Sequence, residues 1–174
     1  TNGRELNLAD PTIRNIFNIT NWKNIKPTLP NPHGNHGYSP PVIGNALSHL
    51  NIFNTIANDS SLSNNDFVLI LEDDIDTLPA SFEASYNTLL KTLRNDQTWD
   101  IHYLGTFHEN IAIYDDPVVH PNVRRLGGNS RTFGGGSHAY FIRKRAAIII
   151  MEALNDNYIT VTQAIDWFLL STIT

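Results

Sequence analysis

The chain has 174 residues, 41% of them hydrophobic and 10% aromatic, which suits one domain with a substantial core and excludes a disordered polymer. Its 12 Lys and Arg against 17 Asp and Glu give a net charge of −5, and the one compact basic group is Arg143-Lys144-Arg145. That balance argues against nucleic acid as a partner. No cysteine is present, which excludes disulfides and thiolate metal centres, and no run approaches the ~20 apolar residues of a membrane span.

Residues 1 to 40 read as polar and loop-rich, with a short apolar-periodic stretch at Ile13, Ile16 and Phe17. The proline-dense segment from Lys26 to Pro41 holds His33 and His36 and is expected as an ordered loop or lid. Pro40-Pro41 suits a first helical turn, and Ile43, Ala46, Leu47, Leu50, Phe53, Ile56 and Ala57 follow at helical spacing. A helix over Pro41 to Asn58 is predicted. Asn64-Asn65-Asp66 marks a turn, and Phe67-Val68-Leu69-Ile70-Leu71 reads as a buried strand.

A second helix is expected from Pro79 to about Leu93, carried by Phe82, Tyr86, Leu89, Leu90 and Leu93. Trp99 to Leu104 reads as another buried strand, and Ile111-Ala112-Ile113 and Val118-Val119 as short peripheral pieces. A glycine-rich loop, Gly127 to Gly136, leads into a strand at His138 to Ile142. Helices at about Lys144 to Leu154 and Thr162 to Leu170 close the chain. Helices alternating with buried strands predict an α/β fold whose central sheet is mixed and mostly parallel, flanked by helices.

The segment LILEDDIDTLPASF carries the chemistry. Glu72, Asp73, Asp74 and Asp76 crowd five positions directly after an apolar strand. Like charges this close repel one another, and a bound divalent cation is the simplest physical reason to keep them. Mg²⁺ and Mn²⁺ take carboxylate oxygens, substrate phosphates and water. Ligands of open α/β sheets also bind beyond the carboxyl ends of strands. The structural alternative is a solvated acidic turn that caps the following helix. One or two acids suffice for that.

Five segments then occur in order: ALSHL from Ala46, LILEDDID from Leu69, WDIHYLG from Trp99, GGGSHAYFIRKRAA from Gly134 and AIDWFL from Ala164. Together they resemble glycosyltransferase family 25, the lipopolysaccharide-biosynthesis and procollagen galactosyltransferase group. The likeness spans nearly the whole chain, as one glycosyltransferase domain (1–174). It implies a GT-A-like nucleotide-binding sandwich with a DxD-type metal motif. It also implies an inverting, metal-dependent transfer of a sugar, often galactose, from a nucleotide-sugar donor. A UDP-sugar is the favoured donor, and the acceptor is a hydroxyl of a glycan, a lipid-linked saccharide or a protein. Relatives carry a strand–helix unit before the part matched here and a tail after it, so the domain is expected to lack both. The cytoplasmic face of a membrane is the favoured location, with a secretory lumen as the alternative.

Mapped onto this chain, the resemblance makes Asp74 the direct Mn²⁺ (or Mg²⁺) ligand, with Asp76 as an alternative register. Glu72 and Asp73 then serve the nucleotide. Inverting transfer also needs a base for the acceptor hydroxyl. Asp166 is the candidate, being a lone acid among Ile165 and Trp167 to Leu170, where an unpaired carboxylate would be costly. A structural Asp bonded to a backbone or Arg group is its alternative. His138 shares a strand face with Tyr140 and Ile142 and is a candidate for the metal or the donor phosphate. Arg131 in the glycine loop and Arg143 after the strand are candidates to offset diphosphate charge. His49, Trp99 and Asp100 read as structural, and Trp167 as a core residue or a sugar platform.

Two other classes compete. DDIDTL also resembles the haloacid dehalogenase phosphatase signature, with Asp74 as nucleophile and Asp76 as acid/base, but Asp115, Asp116, Asp156 and Asp166 lack the later spacing of that superfamily. A non-catalytic carbohydrate-binding or degenerate transferase domain is the second.

Overall fold

The computed structural model describes residues 7, 10–17, 40–75, 80–104, 118–120, 123–124, 136–156, 158, 161, 165, 166, 168 and 169. Expectations for the loop at 26–39 with His33 and His36, for 111–113, and for Asp76, Arg131 and Trp167 lie outside them. The chain divides into two compact units, Thr1–Asp66 with Lys144–Thr174, and Phe67–Arg143.

In the first unit, helices α1 (Pro11–Phe17), α2 (Pro40–Asn58) and α4 (Lys144–Asn155) are joined by helical residues at 165–166 and 168–169. Pro40 and Pro41 open α2, as suits a turn whose first N–H groups have no helical partner. Ile43, Ala46, Leu50, Phe53 and Ile56 recur every three to four residues and are all buried, so one stripe of α2 lines the core. Each large side chain of that stripe contributes about 1.5–3 kcal/mol on burial. The stripe-bearing helix packs against α4, which buries Ala146, Ala147 and Ile150. Phe17 of α1 is buried, and Val161 N–H donates to Ile16 O at 3.0 Å.

After α2 the chain turns through 59–66 with every local acid employed. Asp59 Oδ1 accepts from Ser61 N–H and Ser61 Oγ, which hold its carboxyl below the usual range, with a smaller contribution from Lys144. Asp66 Oδ2 accepts from Ser63 N–H at 2.7 Å. The buried Lys144 donates Nζ to Asp59 O at 2.6 Å and Leu62 O at 3.0 Å, so it pins this turn to the start of α4.

The second unit holds β1 (Phe67–Leu71), α3 (Phe82–Asn95), β2 (Ile101–Tyr103), β3 (Val118–His120), β4 (Val123–Arg124) and β5 (Ala139–Arg143). The main sheet has the order β1-β5-β2, and β3 pairs with β4 in a separate two-stranded ribbon. Both pairings of β5 are antiparallel, with Ile70 and Tyr103 each opposite Tyr140. The expected mixed, mostly parallel sheet of a GT-A-like sandwich is therefore wrong for the described residues. The physical reason is specific. β1 and β2 do run the same way, joined through α3, but β5 lies between them in the opposite sense. An apolar run records that a strand is covered, and nothing in it records the direction of its neighbour.

β1 and β2 are also less deeply buried than their composition suggests, unlike β5. Phe67, Val68, Leu69 and all of β2 are half-buried, Ile70 is buried, and Leu71 is 55% exposed. One sheet face is covered by α3: Tyr86 stacks at 6.1 Å on Phe141 and at 5.4 Å on Phe82 one turn earlier. Helix α3 begins at Phe82 rather than near Pro79 and carries Glu83 in its first turn, where a carboxylate favours the helix dipole.

Arg143, expected to offset diphosphate charge, is a structural residue instead. It is 2% exposed, and its guanidinium donates to Trp99 O, Leu93 O and Asp96 O at 2.9–3.1 Å. It also lies 4.2 Å from the Trp99 ring centroid. The carbonyls at the end of α3 lack helical donors, and a buried cation meets both that need and the helix dipole. Trp99 adds Nε1–H to Leu93 O at 3.0 Å and rests on Phe67, consistent with its reading as structural.

Candidate functional site

The carboxyl ends of β1 and β2 and the amino end of β5 meet at one end of the sheet. The last registered pair is Leu71 with Ala139, and the ladder continues by one bond, Glu72 N–H to His138 O at 2.9 Å. On the other side of β5, Leu104 N–H donates to Ala139 O at 3.0 Å. Tyr140 and Tyr103, registered opposite each other, share one sheet face, and Glu72 and His138 lie just past the ends of β1 and β5. The Tyr103 and Tyr140 rings lie 5.7 Å apart. Burial, then the neighbouring Tyr103, then the Glu72 carboxylate push the Tyr140 hydroxyl well above the ordinary tyrosine range. Tyr103 Oη and His138 Nδ1 are buried away from water.

Gly136 precedes this cluster with φ 116° and no exposed surface to speak of, a conformation open to glycine because no Cβ obstructs it. The next residue, Ser137, donates its hydroxyl to Glu72 Oε1 at 2.5 Å across 65 positions of sequence. Glu72 is thus tied by its backbone to residue 138 and by its side chain to residue 137. Asp73 and Asp74 follow in a turn and are both exposed.

Of the residues singled out by sequence, Glu72 and His138 are brought together, and Asp73 and Asp74 lie immediately beyond them. Arg131 and Asp76 lie outside the described residues. Asp166 is half-buried in a helical stretch of the first unit, between Ile165 and the buried pair Phe168 and Leu169. His49 is buried with its ring 6.3 Å from Phe53, a packing role as expected. Sequence pattern alone does not mark Ser137 as the partner of Glu72. The available signal was Ser137's place inside GGGSHAY, one residue before the histidine.

Among the described residues, no group of three or more His, Asp or Glu side chains converges in a way that would cage a metal. Another mode of binding needs fewer protein ligands. Mg²⁺ and Mn²⁺ are held by one or two carboxylates, substrate phosphates and water, and exposed acids such as Asp73 and Asp74 suit that arrangement. No helix among the described residues is long and apolar enough to cross a membrane. Comparison with family models, with curated proteins and with solved structures returns no match to this chain.

Proposed function

We propose that the chain is a metal-dependent glycosyltransferase that passes a sugar, with inversion, from a nucleotide-sugar donor to a hydroxyl of a glycan, lipid-linked or protein acceptor. The observation that carries this reading is the run of three consecutive acids directly after β1. Glu72 is fixed by Ser137 and by the sheet, whereas Asp73 and Asp74 face solvent directly after the strand. A divalent cation carrying a diphosphate takes one or two such carboxylates and completes its shell with water. The five ordered motifs described above support the same reading.

Asp74 would hold the Mn²⁺ or Mg²⁺, with Asp76 as the second candidate ligand. The metal, when bound, supplies a Lewis acid for charge developing on the departing diphosphate. Glu72 and Asp73 orient the nucleotide, and Glu72 is already held in one place, which lowers the entropy cost of binding. His138, next to the fixed carboxylate, is assigned to the donor phosphate. Asp166 takes the acceptor proton, a role that rests on the resemblance alone.

The test is a screen of UDP-, GDP- and CMP-sugars for Mn²⁺-dependent hydrolysis, comparing the native chain with Asp74→Ala. Turnover lost in the variant supports the proposal. Full activity in Asp74→Ala removes that residue from the metal site. Metal-dependent UDP binding with no turnover of any donor would instead mark a non-catalytic carbohydrate-binding or degenerate transferase domain.

A further inference from the structure

We propose that Ser137 is a positioning residue, its hydroxyl setting the orientation in which the Glu72 carboxylate meets the donor nucleotide. The inference rests on the donor-binding reading of Glu72 given above. Three observations carry it. Ser137 Oγ donates to Glu72 Oε1 at 2.5 Å, a charge-assisted bond, and such bonds are roughly twice as strong as neutral ones. Glu72 N–H is tied to the next residue's carbonyl, His138 O, at 2.9 Å, so backbone and carboxylate are held by consecutive residues of one strand entry. Gly136, buried at φ 116°, lets the chain turn into β5 so that Ser137 arrives opposite the end of β1.

The bond joins positions 65 residues apart, at the point where β1 gives way to the exposed acids. A carboxylate on an untethered turn samples several rotamers, and ordering such a side chain costs conformational entropy when a ligand binds. A hydroxyl already donating to one oxygen removes much of that cost. Ser137 itself touches no reacting atom in this scheme and acts through Glu72.

The experiment uses the whole chain, with UDP and MnCl₂ for calorimetry and UDP-galactose for turnover. Ser137→Ala is expected to raise the UDP dissociation constant and the donor KM by about tenfold while kcat stays within about twofold. Ser137→Thr keeps the hydroxyl and should remain within about twofold of the native chain in both measurements. In a Glu72→Ala background, which removes the acceptor, Ser137→Ala should add little, because the two residues act as a unit. A merely structural hydroxyl would lower the thermal midpoint and leave the dissociation constant of the folded protein alone. That result overturns the inference. Ser137→Cys, nearly isosteric but a poor donor, carries the same comparison if the alanine variant does not fold. A native chain that neither binds UDP with Mn²⁺ nor turns over any nucleotide sugar brings down the transferase reading itself. An active native chain with an unchanged Ser137→Ala brings down this inference alone.

Discussion

The two ends of the three-stranded sheet treat charge in opposite ways. At the end formed by Phe67, Trp99 and Arg143, a cation is enclosed by aromatic rings and spends its donors on the backbone carbonyls of Leu93, Asp96 and Trp99. At the other end, Glu72 is tied to Ser137, and the next two acids stand in solvent. A charge whose partners all come from the protein holds the fold together. A charge left to solvent costs little to keep and remains open to a ligand. Sign and position in the chain do not separate these cases; the supply of partners does.

That contrast breaks most visibly at Arg143. Arg143→Ala is expected to cost about 3–5 kcal/mol of unfolding free energy, since it strands the carbonyls at the end of α3 and empties a packed site. Urea denaturation measures it, and a loss below ~1 kcal/mol would mean the guanidinium is not the clasp described. Asp74→Ala is the opposite experiment. Under the proposed transferase reading, turnover of the nucleotide sugar in Mn²⁺ should fall about 100-fold or more, while stability stays within about 0.5 kcal/mol because the residue is exposed. Loss of stability without loss of activity would reverse the assignment of the two ends.

Lys144 sharpens the comparison within the other unit. It is a second buried cation serving carbonyls, so Lys144→Met should cost about 1–3 kcal/mol by the same denaturation measurement. Arg145, whose contact with Asn65 is exposed, provides the reference, and Arg145→Ala should change stability by no more than about 0.5 kcal/mol.

The smallest effect concerns pH. His102, midway along the sheet, has its pKa lowered below 6.5 by burial. The unfolded chain therefore takes up the proton more readily than the folded one. The stability this residue supports is complete above pH 6.5 and declines as pH falls below that value toward the folded pKa. Comparing urea midpoints at pH 7.5 and pH 5, His102→Asn should lose less than the native chain. An equal loss in both would assign the acid sensitivity to other groups.

Much of this molecule was readable locally. The three- and four-residue spacing of Ile43, Ala46, Leu50, Phe53 and Ile56 predicts α2 and its buried stripe, and β-rich runs locate β1, β2 and β5 to within about two residues. The acidic run after β1 is equally plain, and so is the strand that follows His138. These features depend on neighbours within one or two turns, so they are written in a short window of sequence.

The direction of β5, the duty of Arg143 and the hold of Ser137 on Glu72 were decided only in three dimensions. Apolar composition is the same for a parallel and an antiparallel neighbour, which is why a sheet expected to be mostly parallel is antiparallel at every described pairing. The partners of Arg143 lie 44 to 50 positions away and that of Ser137 lies 65 away. Residue type states what a polar group is able to donate or accept. Only the folded chain determines which distant group comes within three ångströms to meet it.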